Sequence, residues 1–159
     1  MMHIWEQVFP APTPVIARIG QGLLGALFVI SALSKSFRFS GIAAAIASQG
    51  IPMSEVVTVA VILFEVIGGA ALVVNWRARQ AAFALAVFIV PATYLFHAFW
   101  MADAAAFWNQ LNHFLKNLAI FGALMMVAFS DSSARTAHGG ATAAAEADKV
   151  PAQRRVSLF

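Results

Sequence analysis

Glu65 stands in the middle of an apolar run that extends from Val56 to Val74, and that placement restricts the chain more than any other feature. A helix needs roughly 20 mostly apolar residues, rising about 1.5 Å each, to cross the hydrocarbon of a bilayer, and this run has that length. Glu65 then lies roughly 13 Å below the surface, close to the midplane. An acid at that depth costs about 2.5–3.5 kcal/mol on insertion scales, so it has to face a packed interior, a polar partner or a water-filled cavity. The run therefore requires neighbours that surround it.

The neighbours are present in the sequence. Apolar runs from Val15 to Leu33, from Gln80 to His97 and from Leu111 to Phe129 have the same character. With 61% hydrophobic and 11% charged residues, the chain is far more apolar than a soluble domain, which would be about 45–50% apolar and 25% charged. The expected fold is all-α, an integral membrane four-helix bundle with spans at about 15–33, 56–74, 80–97 and 111–129. Residues 1–130 form the membrane domain, and residues 131–159, rich in Ala, Ser, Gly and charged groups, have the composition of a disordered cytoplasmic tail. A chain of 159 residues so divided has no room for a separate soluble catalytic domain, so any chemistry sits in the bundle or on a partner. The N-terminus shows neither a paired-arginine signal nor a convincing small-residue cleavage site, which predicts that the first run is retained as a span.

Charge and cysteine content narrow the function classes. The net charge of +3 comes from Lys and Arg scattered at span ends instead of one stripe, which points to membrane lipid and sets nucleic acid aside as a partner. The absence of cysteine removes thiol exchange, iron–sulfur clusters and thiolate haem ligation within this polypeptide. Arg18, Arg77, Arg79, Arg135, Lys149, Arg154 and Arg155 fall on the side of the termini, against Lys35, Arg38 and Lys116 opposite. The positive-inside rule then puts both termini of this multi-pass protein in the cytoplasm.

Between the spans, Pro10, Pro12 and Pro14 suit a stiff segment leading to the first helix, preceded by His3, Trp5 and Phe9 as interfacial residues. Gly20, Gly22 and Gly25 in the first span, and Gly68 and Gly69 in the second, offer sites of close helix approach. Lys35, Arg38 and Gly41 are expected to open a loop, with a short surface helix over Phe39 to Gln49 stopped by Gly50-Ile51-Pro52. Asn75-Trp76-Arg77-Ala78-Arg79 reads as a tight basic turn, Pro91 as a kink, and Phe96, Phe99, Trp100, Phe107 and Trp108 as an aromatic belt, with quinone stacking as a minor alternative.

The polar residues within the spans are the candidate binding groups. Glu65 reads as a proton-handling acid or as a structural group tied to a basic partner. Lys116 can snorkel outward or meet a ligand head group or Glu65, and Asn117 and His113 are expected to share its face. Arg18 shares a face with Gln21, and either snorkels or turns inward. His97 and His113 lie at adjacent ends of consecutive spans. A bis-imidazole haem or a metal is a minor reading of this pair, with Asp103 available as a third metal ligand, and no metal site is assigned. The candidate binding residues are therefore Glu65, His97, Lys116, Asn117 and Arg18, of which Glu65, His97 and Lys116 are expected to line a small outward-facing pocket. No nucleophile motif is evident, so catalytic residues are unassigned and enzymatic activity is left undecided.

The order of motifs resembles the DoxX family of small four-helix bacterial membrane proteins. The relevant pieces are Arg18-x-Gly20, Gly25-Ala26-Leu27-Phe28-Val29-Ile30-Ser31 and Lys35 in the first span, Gly50-Ile51-Pro52, Phe64-Glu65-Val66-Ile67-Gly68-Gly69, Phe96-His97-Ala98-Phe99-Trp100 and Phe114-Leu115-Lys116-Asn117-Leu118-Ala119. The stretch Ser31-Ala32-Leu33-Ser34-Lys35 departs from the pattern, since relatives usually have a glycine before the leucine. The resemblance implies an accessory subunit of a membrane redox system linked to quinone or thiosulfate oxidation, with quinone as the cofactor to consider and other membrane or peripheral redox proteins as partners. A small transporter or proton pathway, and a scaffold that recruits enzymes, are the alternatives.

Overall fold

The computed structural model describes residues 14–130. The segment holding His3, Trp5 and Phe9, and the tail with its expected disorder, lie outside the described residues. Within them the chain is an all-helical integral membrane bundle: α1 is Pro14–Phe37, α2 Phe39–Ser48, α3 Ser54–Val73, α4 Ala78–Phe96 and α5 Phe107–Ala128. A 3-10 turn at Phe99–Met101 lies between α4 and α5. Helices α1, α3, α4 and α5 are long and apolar enough to cross a membrane. Ile19, Leu23 and Ile30 remain exposed along α1, an apolar stripe suited to lipid.

Two helix boundaries differ from expectation. α1 continues past Leu33 to Phe37, because no glycine or proline interrupts Ser34 to Phe37 and because Lys35 finds partners on its own helix and on α3. Lys35 is thus a helical residue, and the expected long loop shrinks to Arg38, whose N–H donates to the Lys35 carbonyl at 3.1 Å. Helix α5 begins a turn earlier than Leu111, since the Asp103 side chain accepts the Ala106 N–H at 2.8 Å and its carbonyl accepts that of Phe107. Phe107 and Trp108 are consequently helical.

The helices pair as α1 with α3 and α4 with α5. α1 and α3 meet where Gly25 lies against Gly69, so close that a Cβ added to Gly25 would sit 2.5 Å from the Gly69 carbonyl oxygen. Of the other glycines marked for close approach, Gly20 and Gly22 face open space, and Gly68 faces Leu85. The pairs join through Phe28, Leu72, Ala82, Leu85, Ala86, Ile89, Leu124 and Ala128. Leu72, Ala82 and Ala128 lie near the end of the bundle that carries the α3–α4 turn, so the dry core is weighted toward that end.

Side chains from neighbouring helices close the helix C-termini at this end, where carbonyls lack intrahelical partners. The Gln21 amide donates to the Leu72 carbonyl at 2.8 Å and to Asn75 Oδ1 at 3.0 Å. Arg79 Nε donates to the Ala128 carbonyl at 2.9 Å. Gln21 is buried, so Gln21→Leu should cost about 1–2 kcal/mol by leaving the Asn75 and Leu72 acceptors short of a donor. Thermal unfolding in detergent measures this; an unchanged midpoint would show that α3 ends without help from α1.

Candidate functional site

The opposite end of the bundle is polar because the alternating helices deliver the C-terminus of α1, the C-terminus of α4 and the N-terminus of α5 to one place. Glu65, in mid-α3, is 4% exposed. Its carboxylate oxygens lie 2.9 and 2.8 Å from Lys35 Nζ, which also donates to Ser31 Oγ at 2.6 Å. An ammonium has three N–H donors, and these contacts occupy all of them. The Ser31 and Lys35 spacing of four residues puts both on one face of α1, and that face meets α3. Neither side chain of the pair bears a free charge, yet Lys35 retains 24% of its side-chain exposure against 6% for Glu65. That exposure opens onto a recess of about 340 Å³ lined by Ser31, Ser34, Lys35, Arg38, Ile42, His97 and His113.

The far wall of the recess is a histidine pair. The rings of His97 and His113 stack with centroids 4.8 Å apart and planes 13° from parallel. His97 follows the last residue of α4 and is oriented by Gln110, whose Oε1 lies 3.0 Å from Nδ1. With that oxygen as acceptor, Nδ1 carries the proton and Nε2 of the neutral ring is left as an acceptor. Deeper between α4 and α5, Asn117 Nδ2 donates to Thr93 Oγ1 at 2.9 Å, and Thr93 donates to the Ile89 carbonyl at 2.6 Å. Nearby, Phe99 makes edge contacts with Trp100, Phe107 and Phe114 at 5.1, 5.9 and 5.2 Å, so these rings are largely engaged with one another.

The five candidate binding residues separate in space. His97 lines the recess, and Glu65 supports it from beneath through Lys35. Asn117 is a tie between α4 and α5. Lys116 is exposed, because successive helical residues are about 100° apart: with Asn117 turned toward Thr93 on α4, Lys116 is rotated outward. Arg18 is exposed at the other end of α1, about 25 Å along the axis from Lys35, while Gln21 takes the inward position. The partner of Glu65 is Lys35, not Lys116. Sequence reasoning gathers Lys35 with His97 and His113 at one end of the bundle without making it a pocket residue, and it passes over Ser31, Arg38 and Gln110; the available signal was the Ser31/Lys35 spacing, obscured by ending the first span at Leu33.

The DoxX family model matches residues 14–98, which carry Lys35, Arg38, Glu65 and His97. The inner membrane protein YphA of Escherichia coli (strain K12) is 25% identical over 126 residues, covering 79% of this chain and 90% of YphA. No solved structure matches. On the extent of the family match, which takes in α1 through α4, the chain belongs to the DoxX family.

Proposed function

We propose that this DoxX protein is an accessory subunit of a quinone-linked redox system in the bacterial inner membrane, and that its polar recess holds a quinone head group. The supporting observation is the donor and acceptor set around one recess at the polar end: Arg38, Ser34 and the His97–His113 pair, with Lys35 held behind them by Glu65. A quinone head offers two carbonyl acceptors when oxidised and two hydroxyl donors when reduced. Arg38 and Ser34 suit the first, and His97 Nε2 suits the second. A bound quinone would supply two-electron, two-proton chemistry. The chain's own part is to position the head group, accept a proton at His97 and keep the fixed charge of the site low by neutralising Lys35 with Glu65.

In the orientation favoured by the basic residues, the termini are cytoplasmic and the recess opens on the outer side. A small sulfur oxyanion would use Arg38 in the same way. The test is titration of short-chain ubiquinone and menaquinone analogues, and separately thiosulfate and sulfite, into wild type and His113→Ala in detergent. Saturable binding weakened at least tenfold by His113→Ala supports the reading. No binding to wild type rejects it; proton-coupled uptake in vesicles would then favour a transporter, and co-purification of soluble enzymes a scaffold.

A further inference from the structure

The end of the bundle opposite the recess carries a second concavity, which the redox reading does not use. Between α3 and α4 lies an apolar groove of about 260 Å³. Phe64, Ile67, Gly68 and Ala71 line it from α3, and Ala81 and Ala84 from α4; the spacing puts each set on one helix face. It runs about 10 Å from the α3–α4 turn toward the middle of the membrane. At the turn, the apolar lining gives way to Trp76, Arg77 and Gln80. The Arg77 guanidinium lies 5.6 Å from the centroid of the exposed Trp76 ring.

The charge of this end is unbalanced among the described residues. Among the described residues the acids are Glu55, Glu65 and Asp103. Glu55 is at the start of α3 and Asp103 precedes α5, both at the recess end, and Glu65 is bound to Lys35. Arg18, Arg77 and Arg79 therefore share the other end with no described carboxylate, and Arg79 is already directed at the Ala128 carbonyl. Arg77 holds its place in the left-handed region at φ 45, where L residues other than Asn and Asp are uncommon.

We infer that this groove is a binding site for an anionic phospholipid, with the phosphate at Arg77 and Gln80, the glycerol region against Trp76, and one acyl chain between Phe64, Ala71 and Ala84. An acyl chain matches the apolar lining, and the phosphate supplies the anion that the described chain lacks at this end. A guanidinium is the side chain suited to a phosphate's paired oxygens, and Trp suits the interfacial depth.

The test uses the full chain in neutral detergent, with dioleoyl phosphatidylglycerol and dioleoyl phosphatidylcholine titrated separately and bound lipid read by native mass spectrometry. Wild type should prefer phosphatidylglycerol by about fivefold, the ratio that corresponds to about 1 kcal/mol per juxtamembrane arginine. Arg77→Asn, with a residue that tolerates the left-handed backbone, should bring the two lipids to parity, and Arg18→Gln should leave the preference intact. Ala84→Trp, which fills the groove, should weaken both lipids severalfold. Equal binding of the two lipids by wild type would overturn the proposal, as would equal loss of preference in Arg18→Gln. It also falls if binding is unchanged in Ala84→Trp, or if glycerol 3-phosphate competes as well as the lipid does.

Discussion

Glu65→Ala should be the most damaging single substitution that removes only side-chain atoms, destabilising the bundle by about 3 kcal/mol. Removing one partner of a buried ion pair costs about 3–5 kcal/mol because the other charge is stranded. The lower figure applies because Lys35 keeps 24% of its side chain exposed toward the recess and keeps its bond to Ser31. Glu65→Gln retains an acceptor for the ammonium but not the balancing charge, so it should fold with a smaller loss. The informative variant is the double replacement Lys35→Met with Glu65→Leu. A well-packed apolar pair in place of a buried ion pair is often neutral or stabilising, so the double variant should recover most of the stability lost by Glu65→Ala. It should still lose ligand binding at the recess. Unfolding in a mixed-detergent titration gives the stabilities. A double variant no better than Glu65→Ala would mean that the pair is not coupled, and that Glu65 has some other indispensable contact.

Gly25→Ala and Gly69→Ala should each cost about 3 kcal/mol, at the upper end of what overpacking produces. The new Cβ at position 25 would meet the Gly69 carbonyl oxygen at 2.5 Å and Leu72 Cβ at 2.8 Å; at position 69 it would meet the Gly25 carbonyl oxygen at 2.7 Å. The nearest obstacle at each position is a backbone carbonyl oxygen, and the Cβ atoms of Leu72 and Phe28 beside them are fixed by the backbone, so no rotamer change relieves the clash and α1 must separate from α3. Within a membrane, close packing is a main source of helix association, which makes lost approach costly. Because both substitutions press on the same contact, the double variant should cost less than the sum of the singles. Gly22→Ala, with nothing within 4 Å of the added atom, should change stability by no more than about 1 kcal/mol and in the favourable direction, since alanine is the better helix former. Equal losses at Gly22 and Gly25 would show that helix approach is not the reason for glycine at position 25.

The separation of Lys35 from Lys116 as partners of Glu65 illustrates where sequence reasoning stops. Both lysines stand near span ends on the recess side of the bundle, and depth alone favours neither. What decides is rotation about the helix axis. Lys35 faces α3 because Gly25, Phe28 and Ala32 on the same helix are buried and set the angle at which α1 meets its neighbour. Lys116 faces outward because Asn117 and His113 turn toward α4 and the recess. The apolar spacing of a membrane span is nearly uniform around the helix, so it carries little information about which side points inward.

The all-helical membrane architecture, the spans and the need to bury Glu65 were determined by the sequence alone, since each follows from the length of the apolar runs and the cost of an acid in hydrocarbon. The short helix at Phe39 and the basic turn at Arg77 were legible too, because Gly50, Pro52 and the Asn75–Arg79 cluster mark them locally. Tertiary structure decided which glycine of each span forms the crossing, which lysine neutralises Glu65, and that His97 and His113 stack across one recess from Arg38. Those outcomes depend on the rotation and relative height of helices packed against one another, and such quantities are set by side-chain fit between segments far apart in the chain.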